Sequence, residues 1–557
     1  MSKAPEQLYR RTLAVATILL SVVVIVVLRL GYWQIESPPP VSAGGSEQEN
    51  FSPQRGNIYD AHGYLLAVAT TVYDIGATPR NITDAPLVAD RLAATLGKPR
   101  DKLLELLRQG GAHVPIERGV NEATRQSLMQ WGDGILQADA RQSRVYPHGT
   151  LAASVLGFVT DDGVGHYGLE GHYNSQLAGQ PGFRLEDRDV LGSLFYQFRP
   201  ARDGVDLYLT LDRNLQTFVE DALGRAVVSS GAKHGVAIVM DPATGAILSM
   251  ATYPGYDPNT RDVSDESVFL NPAVADQYEP GSVFKVITLA SALDAGTIAP
   301  SSSYYDNSQI VVGGRVIRNS DRQAHGQTSM YDLLAQSLNV GAAHVSTSMG
   351  ANRFYQYVRR FGFGELTRVD LDDEISGAVR VPGDREWHES DLGTNSFGQG
   401  IAVTPLQMLS AISAVANHGV LMRPYIVARL VDRDKVTETA PVAVRQAVSP
   451  EAAAQATEMM VYTVEHAATV AAVRGYRVAG KSGTSEVPVP GGYDPQETIA
   501  SFTGFAPADN PRFSILVVLD RPQKEHWGGL VAGPVFQQIA QYLVTALGVP
   551  PDNVNGQ

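Results

Sequence analysis

Between Arg11 and Arg29 the chain carries 17 residues without a charge, Thr12–Leu28, TLAVATILLSVVVIVVL. No other stretch limits the possible architectures so strongly, because a segment this apolar needs lipid or a deep core on every side. As a helix it rises about 25 Å, and with Arg29 snorkelling it can use Leu30 to Ile35, including Tyr32 and Trp33, to cross a ~30 Å hydrocarbon layer. Lys3, Arg10 and Arg11 precede it, which predicts a cytoplasmic N-terminus over 1–11, a transmembrane helix over 12–35 and an exported body. A signal peptide cleaved after Val41-Ser42-Ala43 is the rival expectation, although the run exceeds the roughly 7–15 apolar residues of such segments. Either way the body lies outside the cytoplasm.

After a Pro- and Gly-rich linker over 36–50, the texture is that of an α+β protein. Over 51–203, a pedestal domain, strand-like NIYDAHGYLLAVATTVYDIGA is followed by helical APLVADRLAATLG and DKLLELLRQ. A second domain is expected over 204–547, with a tail over 548–557. It opens with LYLTLDRNLQTFVEDALGRAVV, strand then amphipathic helix, and GVAIVMDPATGAILSMATY, a hairpin around Ala243-Thr244-Gly245.

The 557 residues are 44% apolar and 18% charged, which suits a folded protein, and the net charge of −14 without a basic run argues against a nucleic-acid partner. With no cysteine, thiol nucleophiles, Cys-zinc sites, iron–sulfur clusters and disulfides are excluded. The 12 histidines include no H-E-x-x-H, and the closest group, His166, Glu170 and His172, reads as a structural turn, so neither metal nor cofactor is expected. Only 8 lysines stand against 36 arginines. Arg cannot lose its proton in a protein and a buried Lys can, so these lysines are where titration chemistry is sought.

In EPGSVFKVITLASALDAG, Pro280-Gly281 break the chain, Ser282 starts a helix, and Phe284, Ile287, Leu289, Ala290 and Leu293 supply its buried face. Residues three apart share a helix face, so the Lys285 amine can reach the Ser282 hydroxyl. A desolvated lysine has a lowered pKa and can take the serine proton, and the helix N-terminus offers the Ser282 N–H to an oxyanion. S-x-x-K alone is weak evidence. A second copy, Ser230 and Lys233, lies in the Gly-interrupted SSGAKHG and reads as a connecting loop. Downstream, Ser337-Leu338-Asn339 follows a helical pattern and Lys481-Ser482-Gly483-Thr484 opens a strand-like stretch. In the order S-x-x-K, S-x-N, K-[ST]-G the three form the penicillin-recognising active-serine set.

With these motifs the chain resembles a class B penicillin-binding protein over nearly its whole length. The pedestal adds Arg55-Gly56-Asn57-Ile58-Tyr59-Asp60, Arg144-Val145-Tyr146-Pro147 and Gly168-Leu169-Glu170, and the second domain adds Ser396-Phe397-Gly398-Gln399-Gly400 and Thr404-Pro405-Leu406-Gln407. Two departures are Leu338, where relatives have a small or acidic residue, and Ser482 in place of Thr. The resemblance implies a serine β-lactamase-like transpeptidase domain, an antiparallel sheet flanked by helices, that cross-links peptidoglycan stem peptides as an extracytoplasmic D,D-transpeptidase of the bacterial cytoplasmic membrane. It further implies Ser282 as nucleophile, Lys285 as base, backbone N–H groups of Ser282 and Thr484 as the oxyanion hole, and Ser337 with Lys481 as a proton relay. Asn339 would position the donor amide, and Ser482 and Thr484, spaced by Gly483 and beside Lys481, would hold the terminal carboxylate. Implied partners are stem peptides, lipid-linked glycan strands, β-lactams, a separate membrane glycan polymerase and division proteins. Tyr278-Glu279-Pro280-Gly281-Ser282 and the C-terminal GGLVAGPVFQQIAQYLVTALGVPPDN look like the septal, penicillin-binding-protein-3 type, with a lateral-wall enzyme as the alternative.

Other readings compete less well. Gly475 to Ser482 matches G-x-x-x-x-G-K-S and FSILVVLD could be a Walker B strand, but a phosphate loop must open a helix and GTSEVPVPGG contains two prolines. A non-catalytic scaffold has no need of an intact motif set. A β-lactamase or carboxypeptidase needs a water-activating group, and no E-x-x-x-N like the class A deacylating glutamate follows Ser282.

Overall fold

The computed structural model describes residues 20–29, 47–188, 194–489 and 491–552. Most of the expected membrane segment lies outside these residues. Its described part, 20–29, is helical with Leu20, Ile25 and Leu28 exposed, and among the described residues no helix is long and apolar enough to cross a membrane. The chain divides into two compact units. The described core of the smaller is a three-stranded antiparallel sheet in which Gly182–Arg188 lies between Glu47–Phe51 and Leu194–Arg199, with Phe51 packed edge-on against Phe198.

The larger unit spans residues on both sides of that insertion. Its pedestal portion is built on the 13-residue strand Leu65–Ala77, which pairs antiparallel with Val114–Val120 and Leu136–Val145. The helices Ala85–Leu96 and Arg100–Arg108 form where the apolar spacing predicts them. Asp84 caps the first through the Leu87 N–H, Gly97 ends it, and Leu92, Leu103 and Leu107 bury against Ile75 and Ile116.

The pedestal motifs converge on one buried carboxylate. Glu170 is fully buried, accepts from Arg55 Nε at 2.7 Å and from Arg144 Nε at 2.6 Å, and faces the Tyr146 hydroxyl at 3.3 Å. Its oxygens are therefore engaged by two guanidinium groups, and losing one partner of such a buried set costs about 3–5 kcal/mol. Ile58–Tyr59 then pairs in parallel with Asp206–Leu209, which pairs with Val427–Asp432, so residues from the expected pedestal and the expected second domain share one sheet.

A five-stranded antiparallel sheet positions the site, in the order Ile247–Tyr253, His234–Met240, Phe513–Asp520, Gly492–Ala506, Ala479–Val489. Alternation along its strands splits the core in two. Val236, Ile238, Leu516 and Val518 face the cluster containing Ile287 and Leu409, whereas Ala237, Val239, Ile515 and Val517 face Leu223, Phe536 and Leu543. Helices thus cover both faces of an antiparallel sheet, and the expected hairpin between the first two strands is present. The phosphate-loop lookalike dissolves here: Gly475 sits in a turn, Lys481 and Ser482 are strand residues, and no helix follows. The eight residues of FSILVVLD are all buried in a central antiparallel strand.

Candidate active site

Ser282 sits in a tight 3-10 turn, Gly281–Phe284, and the α-helix proper runs from Lys285 to Asp294, one turn later than the sequence pattern predicts. Every residue from Lys285 to Leu293 is buried, so this is a central helix and not an amphipathic one with a single apolar face. Glycine is dictated just before the serine. Gly281 has φ +58° and donates to the Gly398 carbonyl, and a Cβ on it would stand 2.9 Å from the Thr484 carbonyl oxygen. The turn carrying Ser282 is thereby pressed between the Ser396–Gly400 loop and the strand carrying the third motif.

Lys285 has no solvent exposure. Its Nζ lies 2.9 Å from Ser282 Oγ, 2.7 Å from the Ser337 carbonyl oxygen, 2.8 Å from Asn339 Oδ1 and 3.2 Å from Ser337 Oγ, and it sits 5.9 Å from the centre of the Phe397 ring. Burial pushes its pKa well below the usual lysine value, and the nearby Lys481 charge pushes the same way. Among the described residues no carboxylate forms an ion pair with either lysine, and an unpaired buried ammonium costs several kcal/mol, so the neutral amine is favoured. A neutral amine has two N–H bonds and one lone pair. The Ser337 carbonyl and Asn339 Oδ1 can only accept, so together they take both hydrogens and leave the lone pair to a hydroxyl.

Ser337 links the helix Met330–Ala335 to the helix Asn339–Met349 and adopts φ +61°, a left-handed conformation that costs a residue with a Cβ about 1–2 kcal/mol. That conformation belongs to the turn that sets its carbonyl on Lys285. Leu338, the departure noted in the sequence, is buried at the N-cap position and supplies no capping group.

The third motif lies on the edge strand Ala479–Val489. Lys481, Gly483 and Ser485 are buried, whereas Ser482 and Thr484 are half-buried on the opposite face. The Lys481 ammonium is pushed down to about 7 by burial, and its Nζ donates to the Ser482 carbonyl at 2.9 Å. No hydrogen bond joins Lys481 to Ser337 among the described residues. Gly483 is needed because a Cβ there would meet Ser501 Oγ at 2.4 Å and the Pro280 carbonyl oxygen at 3.0 Å. Thr484 Oγ1 accepts from Gly528 N at 3.0 Å, and Ser485 Oγ donates to the Glu279 carbonyl, stapling this strand to the segment before Ser282.

The structure thus gathers Ser282, Lys285, Ser337 and Asn339 around one amine and brings the Lys481–Thr484 strand against their turn. The second S-x-x-K is not part of this group: Ser230 Oγ donates to Ala226 O, and Lys233 is paired with Glu497. Sequence reasoning missed Glu279 as a wall of a cleft of about 930 Å³, also lined by Tyr278, Arg315, Val487 and Tyr493. Its Oε1 accepts from Gly400 N and Tyr493 OH, while burial pushes its carboxyl above the ordinary range. Its place three residues before the serine was the available signal.

Comparison with known proteins identifies the family. The family described as Penicillin binding protein transpeptidase domain matches residues 235–541, and the Penicillin-binding Protein dimerisation domain matches residues 50–209. Stage V sporulation protein D of Bacillus subtilis is 32% identical over 555 residues, covering 96% of this chain and 85% of that protein. Peptidoglycan D,D-transpeptidase FtsI of Escherichia coli is 29% identical over 541 residues, covering 94% and 90%. Among solved structures, penicillin-binding protein 3 of Mycobacterium tuberculosis complexed with aztreonam superposes with a TM-score of 0.71 at 27% identity, covering 90% of this chain and 98% of that one.

Proposed function

The chain belongs to the class B penicillin-binding proteins and is a peptidoglycan D,D-transpeptidase, and from that premise we propose that Ser282 is its nucleophile and Lys285 the base that activates it. The observation that carries the assignment is the desolvated Lys285 amine 2.9 Å from Ser282 Oγ, with two pure acceptors occupying its hydrogens. Ser282 Oγ gives its proton to Lys285 as the Oγ–C bond forms at the penultimate D-Ala carbonyl. The N–H groups of Ser282 and Thr484 face the oxyanion. The C–N bond to the terminal D-Ala then breaks, and its nitrogen takes a proton passed on through Ser337 and Lys481, the latter turning from Ser482 toward Ser337. Asn339 positions the donor amide. The hydroxyls of Ser482 and Thr484, beside Lys481, receive the terminal carboxylate, and Gly483 keeps that strand against the serine turn. An acceptor amine attacks the acyl-enzyme, forms the cross-link and returns the Ser282 hydroxyl. A β-lactam acylates the same serine.

The reaction is tested on uncross-linked glycan strands carrying D-Ala-D-Ala stems. Release of D-Ala with formation of cross-linked products, both lost in Ser282→Ala, is expected. Release without cross-links would make the enzyme a carboxypeptidase instead, and activity surviving in Ser282→Ala would remove the serine assignment.

The cellular setting is part of the same proposal. Residues 12–35 anchor the protein in the cytoplasmic membrane, and the catalytic body over 204–547 stands outside on the 51–203 pedestal, working beside a membrane glycan polymerase and division proteins. The Tyr278–Ser282 segment and the C-terminal helix support septal duty. A fluorescent fusion should collect at mid-cell; an even side-wall distribution would favour elongation. Protease added to intact spheroplasts should remove the body, and its survival would refute the topology.

A further inference from the structure

The helix that begins at Asn339 lacks an N-cap side chain, since Leu338 offers none, yet the Val340 N–H is not left bare. It donates at 3.1 Å to Oδ1 of Asn319, which is 21 residues upstream in sequence and 2% exposed. Asn319 is in turn fixed by a fully buried carboxylate. Its Nδ2 donates to both oxygens of Asp306, at 3.0 and 2.9 Å, and Asp306 also accepts from Ser308 N and the Tyr304 hydroxyl, both at 2.8 Å. The residue next to Asn319 completes the arrangement, because the Arg318 carbonyl accepts from Asn339 Nδ2 at 3.2 Å. One short segment therefore holds both the backbone at Val340 and the nitrogen end of the Asn339 carboxamide.

We propose that Asn319, backed by Asp306, is a positioning residue for the reaction: it replaces the missing cap at Leu338 and holds the Asn339 carboxamide with Oδ1 toward Lys285. The direction of that carboxamide matters chemically. With Oδ1 facing the amine, a Lys285 hydrogen is consumed and the lone pair stays on the hydroxyl side. With Nδ2 facing it, the amide N–H takes the lone pair that Ser282 needs. The Asp306 carboxylate, which burial would push up, is held below its ordinary range by Asn319, Ser308 and Tyr304, so the anchor stays ionised while the enzyme works. This inference rests on Lys285 as the base.

The test measures second-order acylation by a fluorescent penicillin against pH, with the folded fraction followed by thermal melting. Asn319→Leu removes the acceptor for Val340 and the donor to Asp306 in a side chain of similar size. Loss of the Asn339 acceptor removes a contact that favours the charged amine, so the acid limb of the profile should move to lower pH while the plateau falls about tenfold or more. A merely structural role would scale the whole profile by the folded fraction and leave the limb in place. Should Asn319→Leu not fold, the exchanged pair Asp306→Asn with Asn319→Asp is decisive. It keeps an acceptor for Val340 and a donor–acceptor pair beneath it, and should restore the limb and most of the plateau that Asn319→Asp alone loses. An unmoved limb in whichever of Asn319→Leu or Asn319→Asp folds, or an exchanged pair no better than Asn319→Asp, overturns the proposal. Lys285→Arg run alongside separates the failures: near-normal acylation there removes the base itself, whereas its loss beside unaffected Asn319 variants removes only the positioning role.

Discussion

At Ser282-Val283-Phe284-Lys285 the hydroxyl and the amine meet at 2.9 Å with the lysine wholly buried, whereas at Ser230-Gly231-Ala232-Lys233 the hydroxyl turns back to the Ala226 carbonyl at 2.7 Å and the lysine side chain is 53% exposed beside Glu497. The spacing is the same. What differs is the side of the serine on which the glycine falls. Gly281, at φ +58°, precedes Ser282 and lets it open a helix; Gly231, at φ +72°, follows Ser230 and closes one. Only an unbroken turn puts both side chains on one face, and only a buried turn makes the amine a base. Spacing selects candidates, and burial with backbone direction decides between them.

The largest effect that can break this contrast lies at the two motif lysines. Arg keeps the charge but cannot act as a base, so Lys285→Arg should lower second-order acylation by penicillin by roughly 10²–10⁴-fold, and Lys233→Arg should leave it unchanged. Near-normal acylation in Lys285→Arg would overturn the mechanism. Lys481→Arg keeps a charge beside the proposed carboxylate site and should lose less, about tenfold to a hundredfold, matching the ~1–3 kcal/mol of a charge-assisted bond made imperfectly. Equal losses at Lys285 and Lys481 would erase the distinction between base and anchor. Thermal melts of each variant separate lost chemistry from lost fold.

Stability against pH sharpens the point for Lys481. Its folded value of about 7 lies below the unfolded lysine value of about 10.4. Below pH 7 both states hold the proton. From there to about pH 10 the unfolded chain holds a proton that the folded chain lacks, so stability rises with pH, by at most about 1.4 kcal/mol per unit. Lys481→Met should remove that increment, and denaturant melts at pH 6.5, 8 and 9.5 should show the gap between parent and variant changing steadily. A constant gap would mean that Lys481 stays charged throughout.

The smallest effects compare the glycines. Gly281→Ala and Gly231→Ala each place a Cβ in a left-handed conformation, which costs about 1–2 kcal/mol, and at Gly281 the clash adds to that cost. Only Gly281→Ala also meets the Thr484 carbonyl oxygen, so acylation should fall in it alone. A fall in both would mean that acylation simply follows stability.

Much of this molecule could be read from its sequence because local rules and tertiary structure agree there. The helices Ala85–Leu96 and Arg100–Arg108, the hairpin after His234 and the strand Ala479–Val489 stand where periodicity, caps and prolines put them. Other features needed the fold. The helix after Ser282 looks one-faced because only its apolar residues declare burial, yet Thr288 and Ser291 are buried too, satisfied by the Ser396 and Ile287 carbonyls. Arg55, Arg144 and Glu170 stand in three separate motifs of the sequence and meet only in the fold. Asp306 and Asn319 carry no motif, and their link to Val340 is tertiary.

The central claim is that burial has made one of two identical spacings reactive, and mapping the covalent adduct tests it most directly. The full-length protein is labelled with a fluorescent penicillin, digested, and the modified peptide sequenced by mass spectrometry, for the parent and for Ser282→Ala and Ser230→Ala. The account predicts a single adduct on Ser282, absent from Ser282→Ala and undiminished in Ser230→Ala. An adduct on Ser230, or labelling that persists in Ser282→Ala, would contradict it.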